Sequence, residues 1–273
     1  MRRVLVTGAS GGLGRYVTHA FAAKGFEVIA PSHADLDITD AYSVENLILN
    51  RYPYAVIHLA AYADVPGCAA NPSRAFAVNV RGTANVVRAV AMQSHARMIY
   101  MSTDAVFSAG GPHGERDREA PASAYAWSKL AGEQPVLTLG RHGLVVRANF
   151  FTRHCNVKRS FAAYVVDSAL KGEAFDCYAN VQSTPVFAGT LAERIVRALL
   201  DQESGILHVA SLDAVNRAEQ ARRITLAYGI AIDTVRSVES TTTHDGRLVG
   251  RGVTGPVASE VAKMVAAEPL EPL

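Results

Sequence analysis

Val4-Leu5-Val6-Thr7-Gly8-Ala9-Ser10-Gly11-Gly12-Leu13-Gly14 decides the fold. A short apolar run stops in glycines at three-residue spacing, and a helix-like segment, Gly12 to Lys24, follows. In such a strand, turn and helix, Gly8 takes the tight turn, Gly11 lets a pyrophosphate approach the backbone, and Gly14 lets helix and strand pack closely. The helix N-terminus adds free N–H groups and partial positive charge. Alone, the triplet also reads as a glycine-rich turn with no ligand. Its place in the first turn of a parallel sheet favours a dinucleotide held by Gly8, Ser10, Gly11, Leu13 and Gly14.

Outward from this turn, strand-like runs recur at Val4 to Thr7, Glu27 to Ala30, Ala55 to Leu59, Met98 to Met101 and Leu144 to Arg147. Each is followed by a helix-like segment: Gly12 to Lys24, Ser43 to Arg51, Pro72 to Gln93, Ala124 to Leu139 and Ser160 to Leu170. That alternation predicts an α/β fold, a Rossmann-type doubly wound parallel sheet, over residues 1–150. From about residue 151 the pattern loosens, which predicts a smaller C-terminal substrate lobe over 151–273. Helix 187–200 and strand 206–210 are expected to return to the sheet, Ser237 to Gly255 reads as loop, and a last helix lies near Val257 to Val265.

Composition narrows the function classes. With 27 basic and 25 acidic residues the net charge is +2, so no basic stripe for nucleic acid is expected. No stretch approaches a membrane span and Val4-Leu5-Val6 is too short for a signal-peptide core, which points to the cytoplasm. Cys68, Cys155 and Cys177 show no Cys-x-x-Cys spacing, and His33, His58, His113, His154 and His208 are scattered, so no metal site is expected. His58 reads as buried strand.

In the NAD-preferring pattern an acidic residue closes the second strand, whereas here it ends Ile29-Ala30-Pro31-Ser32-His33. Ser32, His33 or Arg15 could contact a 2′-phosphate, which favours NADP over NAD. A solvated loop is the competing reading of the same residues.

Tyr125 and Lys129 stand at i and i+4, on one face of a helix. With five lysines and ten tyrosines in the chain, chance gives roughly 0.2 such pairs, so the spacing is informative. Upstream, the strand Met98 to Met101 runs into Ser102-Thr103-Asp104, placing hydroxyls at a strand's carboxyl end, where open α/β sheets bind ligands. A hydroxyl, a phenol and an ammonium can therefore converge on one carbonyl.

These motifs resemble those of the extended short-chain dehydrogenases/reductases, and most of all the dTDP-4-dehydrorhamnose reductase family. The likeness rests on Thr7 to Gly14, Leu36-Asp37-Ile38-Thr39-Asp40, Ala60-Ala61-Tyr62-Ala63-Asp64-Val65, Asn79-Val80-Arg81-Gly82-Thr83, Ser102 to Phe107 and Tyr125 to Lys129. It implies hydride delivery to a ketone of a small-molecule carbonyl substrate, a 4-keto-6-deoxy sugar nucleotide. Tyr125 would be the proton donor, Lys129 would lower the phenol pKa and hold the nicotinamide ribose, and Thr103 would orient the oxygen. By the same resemblance Asp37 and Ile38 border the adenine, while Ala60, Ala61, Tyr62, Asn79 and Ser102 line the cofactor cleft. A homodimer is compatible with it.

The substrate half departs from the family. Arg-Thr-Ser-Trp appears as Arg147-Ala148-Asn149-Phe150, Gly-Ser-Pro-Thr-Tyr as Ser183-Thr184-Pro185-Val186-Phe187, and the C-terminal Arg-Pro is missing from Gly246 to Gly252. Substrate contacts are expected from Thr103, Asp104, Asn149, Phe150, Lys158 and Arg159. The basic pair suits a diphosphate, although an exposed cap of a solvated helix accounts for it as well. Asp104 could assist proton transfer or cap a turn. Pro135 is expected to kink or end the Tyr125 helix one turn beyond Lys129. Two alternatives stay open: another small polar carbonyl compound as acceptor, or a non-catalytic NADP-binding regulatory protein like the methionine adenosyltransferase subunit related to this family.

Overall fold

Strands covered on both faces need apolar side chains on both faces, and short continuous apolar runs meet that need. In the computed structural model of the chain, which describes residues 1–155, 160–231, 233–241 and 244–270, five such runs organise the first of two units. This unit comprises Met1–Val106, Pro121–Arg147 and Ala192–Leu207. Its strands are β1 (Arg3–Thr7), β2 (Glu27–Ile29), β3 (Ala55–His58), β4 (Arg97–Met101) and β5 (Gly143–Arg147), with β6 (Gly205–Ala210) beginning in it. Every residue of β3, β4 and β5 is buried, whereas β2 at the edge is only partly covered. Each fully buried Val, Leu or Ile here contributes roughly 1.5–3 kcal/mol.

The seven-stranded sheet runs β7-β6-β5-β4-β3-β1-β2, where β7 is Gly252–Val253. Parallel ladders join β2 to β1, β1 to β3, β3 to β4 and β4 to β5. The chain steps outward from β1 to β2, then returns to continue on the other side at β3. The loops after β1 and β3 therefore diverge, leaving the crevice where this class of sheet binds ligands. Register sets Thr7 beside His58 and His58 beside Tyr100 at the carboxyl ends of three adjacent strands.

Helices cover this sheet. Helix α1 (Gly14–Ala23) buries Gly14, Val17 and Phe21 on one stripe. Helix α2 (Ala41–Arg51) starts at Asp40, whose side chain accepts from the Tyr42 N–H at 3.1 Å, and buries Val44 and Ile48. The expected long helix from Pro72 to Gln93 is three pieces after a short α3 (Val65–Ala70): α4 (Pro72–Phe76), a π-helix over Ala77–Gly82 and α5 (Thr83–Ala91). The side chain of Ile38 packs so near Gly82 that a Cβ there would lie 2.8 Å from its Cδ1, a tertiary constraint that periodicity does not reveal.

Helix α6 (Ala124–Leu137) starts at Ser123, whose hydroxyl accepts from Ala126 N–H at 3.1 Å. It runs through Pro135 to Leu137 rather than ending one turn beyond Lys129. The ring falls in the last turn, so the bond it removes, to the carbonyl of Ala131, is one of the last in the helix. Its buried face is unusual, because Ser128, Lys129 and Glu133 lie on it beside Ala126, Gly132 and Val136. Polar groups buried on a helix signal a built site more often than a packing accident.

The second unit comprises Phe107–Ala120, Ala148–Leu191 and His208–Leu273. It holds helices Phe161–Leu170, Arg217–Ala227 and Val257–Ala267 and several short strand pairs. Phe150–Phe151 pairs with Val186–Phe187, and Phe175–Tyr178 with Val235–Val238. Val215–Asn216 and His244–Asp245 flank Val181–Ser183, and β7 pairs with β6 at Val209 and Ala210. Ser237 to Gly255 therefore carries strand residues where loop is expected, since two-residue strands leave no period to detect. Helix Ala188–Leu200 passes from this unit into the first. Among the described residues no helix is long and apolar enough to cross a membrane, and no cluster could hold a metal ion.

Candidate active site

At the end of β1 the chain turns through Gly8 with φ +71, a conformation L side chains rarely adopt, and a Cβ there would stand 2.6 Å from Ala60 N. Gly14 leaves no room for a Cβ against the Ala9 backbone. Gly11 N–H donates to Gly8 O at 3.1 Å and closes the turn. Helix α1 begins at Leu13 with no side-chain cap and no acidic residue in its first turn. Its first N–H groups and its positive pole thus face the turn without a competing carboxylate, which fits a dinucleotide's diphosphate. Ser10 is exposed and Leu13 buried.

The loop after β2 is more committed. The Ser32 N–H and hydroxyl donate to Asp35 at 3.1 and 2.6 Å, holding its carboxyl below the usual range. Asp37 accepts from the Thr39 N–H and hydroxyl, both at 2.8 Å, and is likewise held down. Ile38 is buried, and its carbonyl accepts from Asn85 at 3.0 Å. His33 is exposed and adds to the lowering of the Asp37 carboxyl.

After β3, Ala60, Ala61 and Tyr62 are partly covered. Asn79, buried in the π-helix, locks onto Tyr62 in both directions: Tyr62 N–H donates to its side-chain oxygen at 2.8 Å, and its amide donates to Tyr62 O at 3.0 Å. The same amide reaches Ser128 Oγ at 2.8 Å, and that hydroxyl donates to Tyr125 O at 2.7 Å. The π-helix thereby fixes helix α6. His58 lies between Thr7 Oγ1, 2.7 Å from Nδ1, and Thr83 Oγ1, 3.1 Å from Nε2. Burial, helped by Lys129, pulls it down to about 3, so it is neutral at physiological pH.

The Thr103 hydroxyl neighbours the Tyr125 phenol and eases its ionisation. Thr103 also donates to Asp104 Oδ1 at 3.2 Å and accepts from Ala105 N–H at 3.1 Å. Desolvation pushes the Tyr125 phenol up to about 12, with the Thr103 hydroxyl opposing and Asp104 and Cys68 adding to it. Lys129 places Nζ 4.0 Å from the centroid of the Tyr100 ring. Burial pulls its ammonium down to about 7, with Glu133 opposing. A protonated phenol, a hydroxyl beside it and a lysine poised near neutrality can hand a proton to a carbonyl oxygen and replace it.

One cluster escapes a reading based on motifs. Glu133 accepts from Ser102 Oγ at 2.5 Å and from Arg147 Nε and Nη2 at 3.0 and 2.6 Å, with Glu133 and Arg147 fully buried. Its spacing, i+4 from Lys129, was the available signal, but the same spacing marks ordinary surface pairs.

In the second unit, Asn149 is partly covered, and its carbonyl accepts from Val186 N–H at 2.9 Å. Phe150 is exposed. Lys158 and Arg159 lie outside the described residues. Arg247 is committed to Asp245, at 2.7 Å, and to Gly111 O, also at 2.7 Å.

A family model described as the RmlD substrate binding domain matches residues 1–246. The dTDP-4-dehydrorhamnose reductase of Mycobacterium tuberculosis is 35% identical over 246 residues, covering 87% of this chain and 79% of that protein. The dTDP-4-keto-6-deoxy-D-glucose reductase of Streptomyces niveus is 32% identical over 250 residues, covering 90% of this chain and 85% of its own length. The crystal structure of the dTDP-4-dehydrorhamnose reductase of Bacillus anthracis in complex with NADP superposes with a TM-score of 0.89. It covers 98% of this chain and 99% of that one at 23% identity, a likeness of fold.

Proposed function

Because the chain belongs to the dTDP-4-dehydrorhamnose reductase family, we propose that it reduces the ketone of a dTDP-4-keto-6-deoxy sugar at the expense of NADPH. The observation that carries this reading is Lys129 buried one helical turn after Tyr125, with the Thr103 hydroxyl acting on that phenol. Relatives named for reduction of such ketones support the substrate class, and the NADP complex of the Bacillus anthracis protein supports the cofactor.

In this reading Gly8, Ser10, Gly11, Leu13 and Gly14 hold the diphosphate, with Asp37 and Ile38 at the adenine. Ala60, Ala61, Tyr62, Asn79 and Ser102 line the remainder, and Ser32 and His33 stand at the 2′-position. NADPH, when bound, supplies the hydride. Tyr125 donates its phenolic proton to the carbonyl oxygen, converting C=O to an alcohol as the carbon gains hydride. Thr103 Oγ1 steers that oxygen toward the phenol. Lys129 stabilises the phenolate left behind and holds the ribose, and its pKa of about 7 suits proton return at neutral pH. Thr103 and Asp104 are the substrate contacts of the first unit; Asn149, Phe150, Lys158 and Arg159 rest on the sequence reading alone. Cytoplasmic location and a homodimer complete the reading; light scattering tests the latter.

A second reading keeps the hydride chemistry and changes the acceptor to another small polar ketone, favoured by phenyl Phe150 where the family carries an indole. NADPH oxidation with dTDP-4-keto-6-deoxy sugars and with nucleotide-free ketones tests both. Turnover confined to the nucleotide sugars is expected. Turnover confined to the simple ketones would select the second reading, and none at all would leave the regulatory alternative.

A further inference from the structure

A fully buried Arg–carboxylate pair adds little stability over a well-packed apolar pair of the same volume, because desolvating both charges offsets their attraction. Glu133 and Arg147 form such a pair, so stability is a weak account of why the pair lies within the catalytic layer. Its connections are more specific. The Glu133 carboxylate receives Ser102 Oγ at 2.5 Å, and Ser102 directly precedes Thr103. It also sits one helical turn after Lys129, which in turn is one turn after Tyr125. One carboxylate thus touches both the strand end that carries the orienting hydroxyl and the helix that carries the phenol and the ammonium.

The groups around Lys129 leave Glu133 as its anionic neighbour. Below it on β4 lies the Tyr100 ring, and on β3 lies His58, both neutral at physiological pH. Tyr125 on its own helix stays protonated. Arg147 on β5 directs its guanidinium to Glu133. Burial works against the ammonium and Glu133 works for it.

Resting on the reductase reading above, we propose that Glu133 is a positioning residue: its carboxylate ties helix α6 to the end of β4 through Ser102 and, one turn after Lys129, favours that residue's ammonium form. Arg147 holds that carboxylate in place through Nε and Nη2.

Five lysines make the protein tractable for pH titration by NMR with 13C-labelled lysine, the Lys129 signal being the one lost in Lys129→Arg. In the wild type the Lys129 midpoint is expected well below the other four. In Glu133→Gln it should fall further, by about one pH unit. If that variant fails to fold because Arg147 is left unpaired, Glu133→Leu/Arg147→Met tests it with an apolar pair, the midpoint still falling but by less because the Arg147 charge goes too. An unchanged midpoint in the folded variant overturns the proposal. Ser102→Ala, which removes only the hydroxyl, tests the tie: kcat for the ketone is expected to fall about fivefold or more with KM little changed. Unchanged kcat overturns that half. A wild type that turns over no ketone, but whose Lys129 midpoint still drops on removal of Glu133, defeats the reading of function and upholds the role of Glu133.

Discussion

The ammonium of Lys129 lies 4.0 Å from the centroid of the Tyr100 ring, and both side chains are buried. The ring's negative face offsets part of the cost of burying a charge there, but not all of it. Burial still pulls Lys129 from its usual 10.5 to about 7. Because the unfolded chain binds this proton up to about pH 10.5 and the folded chain releases it near 7, the unfolded state carries the extra proton in between. Stability from this site therefore rises as pH goes from 7 to 10. Lys129→Met should be more stable than wild type at pH 7, by up to ~4 kcal/mol, and the gap should close toward pH 10. Urea denaturation of both proteins at the two pH values measures it; a gap that does not change with pH contradicts the burial account.

Tyr125 is the proposed proton donor, and its phenol stays protonated across the working pH range. Tyr125→Phe should lower kcat by about 10²–10⁴-fold, the usual contribution of a positioned acid, while NADPH affinity changes little. Steady-state turnover and fluorescence titration separate the two. Near-wild-type turnover would take the role away from Tyr125.

Gly8→Ala meets two obstacles, a φ of +71 and a Cβ 2.6 Å from Ala60 N. The strain costs about 1–3 kcal/mol, so melting temperature should fall, and because the turn must open to relieve the clash, NADPH affinity should fall as well. Calorimetry on the apoprotein and a cofactor titration are the checks. Loss of stability with full affinity would show that the turn does not hold the diphosphate.

Asp35 brings a carboxylate to Ser32, the residue proposed to face the 2′-phosphate. Asp35→Asn removes that negative charge and should raise the NADPH over NADH ratio of kcat/KM roughly threefold to tenfold. Kinetics with both cofactors read it out, and an unchanged ratio would place the 2′-phosphate elsewhere.

Much of the first unit was legible because strands β1, β3, β4 and β5 are buried on both faces and read as unbroken apolar runs. The glycine turn and the Tyr125–Lys129 spacing were legible for a similar reason: each is a local pattern tied to one local geometry. What escaped depends on distant partners. The π-helix at Ala77–Gly82 ends where Gly82 meets Ile38, a contact from another segment, and the Ser32 hydroxyl, readable as a phosphate contact, turns to Asp35. Glu133 resembles a surface residue until Arg147 is brought against it. The helix Arg217–Ala227 was hidden by its charges, although its cap at Asn216, which accepts from Glu219 N–H at 2.8 Å, was in plain sight. In the second unit, strands of two to four residues are too short to establish a period.

The most direct measurement follows deuterium from NADPH labelled at the transferring position of the nicotinamide into a dTDP-4-keto-6-deoxy sugar, with wild type and Tyr125→Phe side by side. The account predicts that the wild type places the label on the carbon of the former ketone and that the variant does so at least about a hundredfold more slowly. Cofactor oxidation without label in the sugar, or equal labelling by the two proteins, would contradict it.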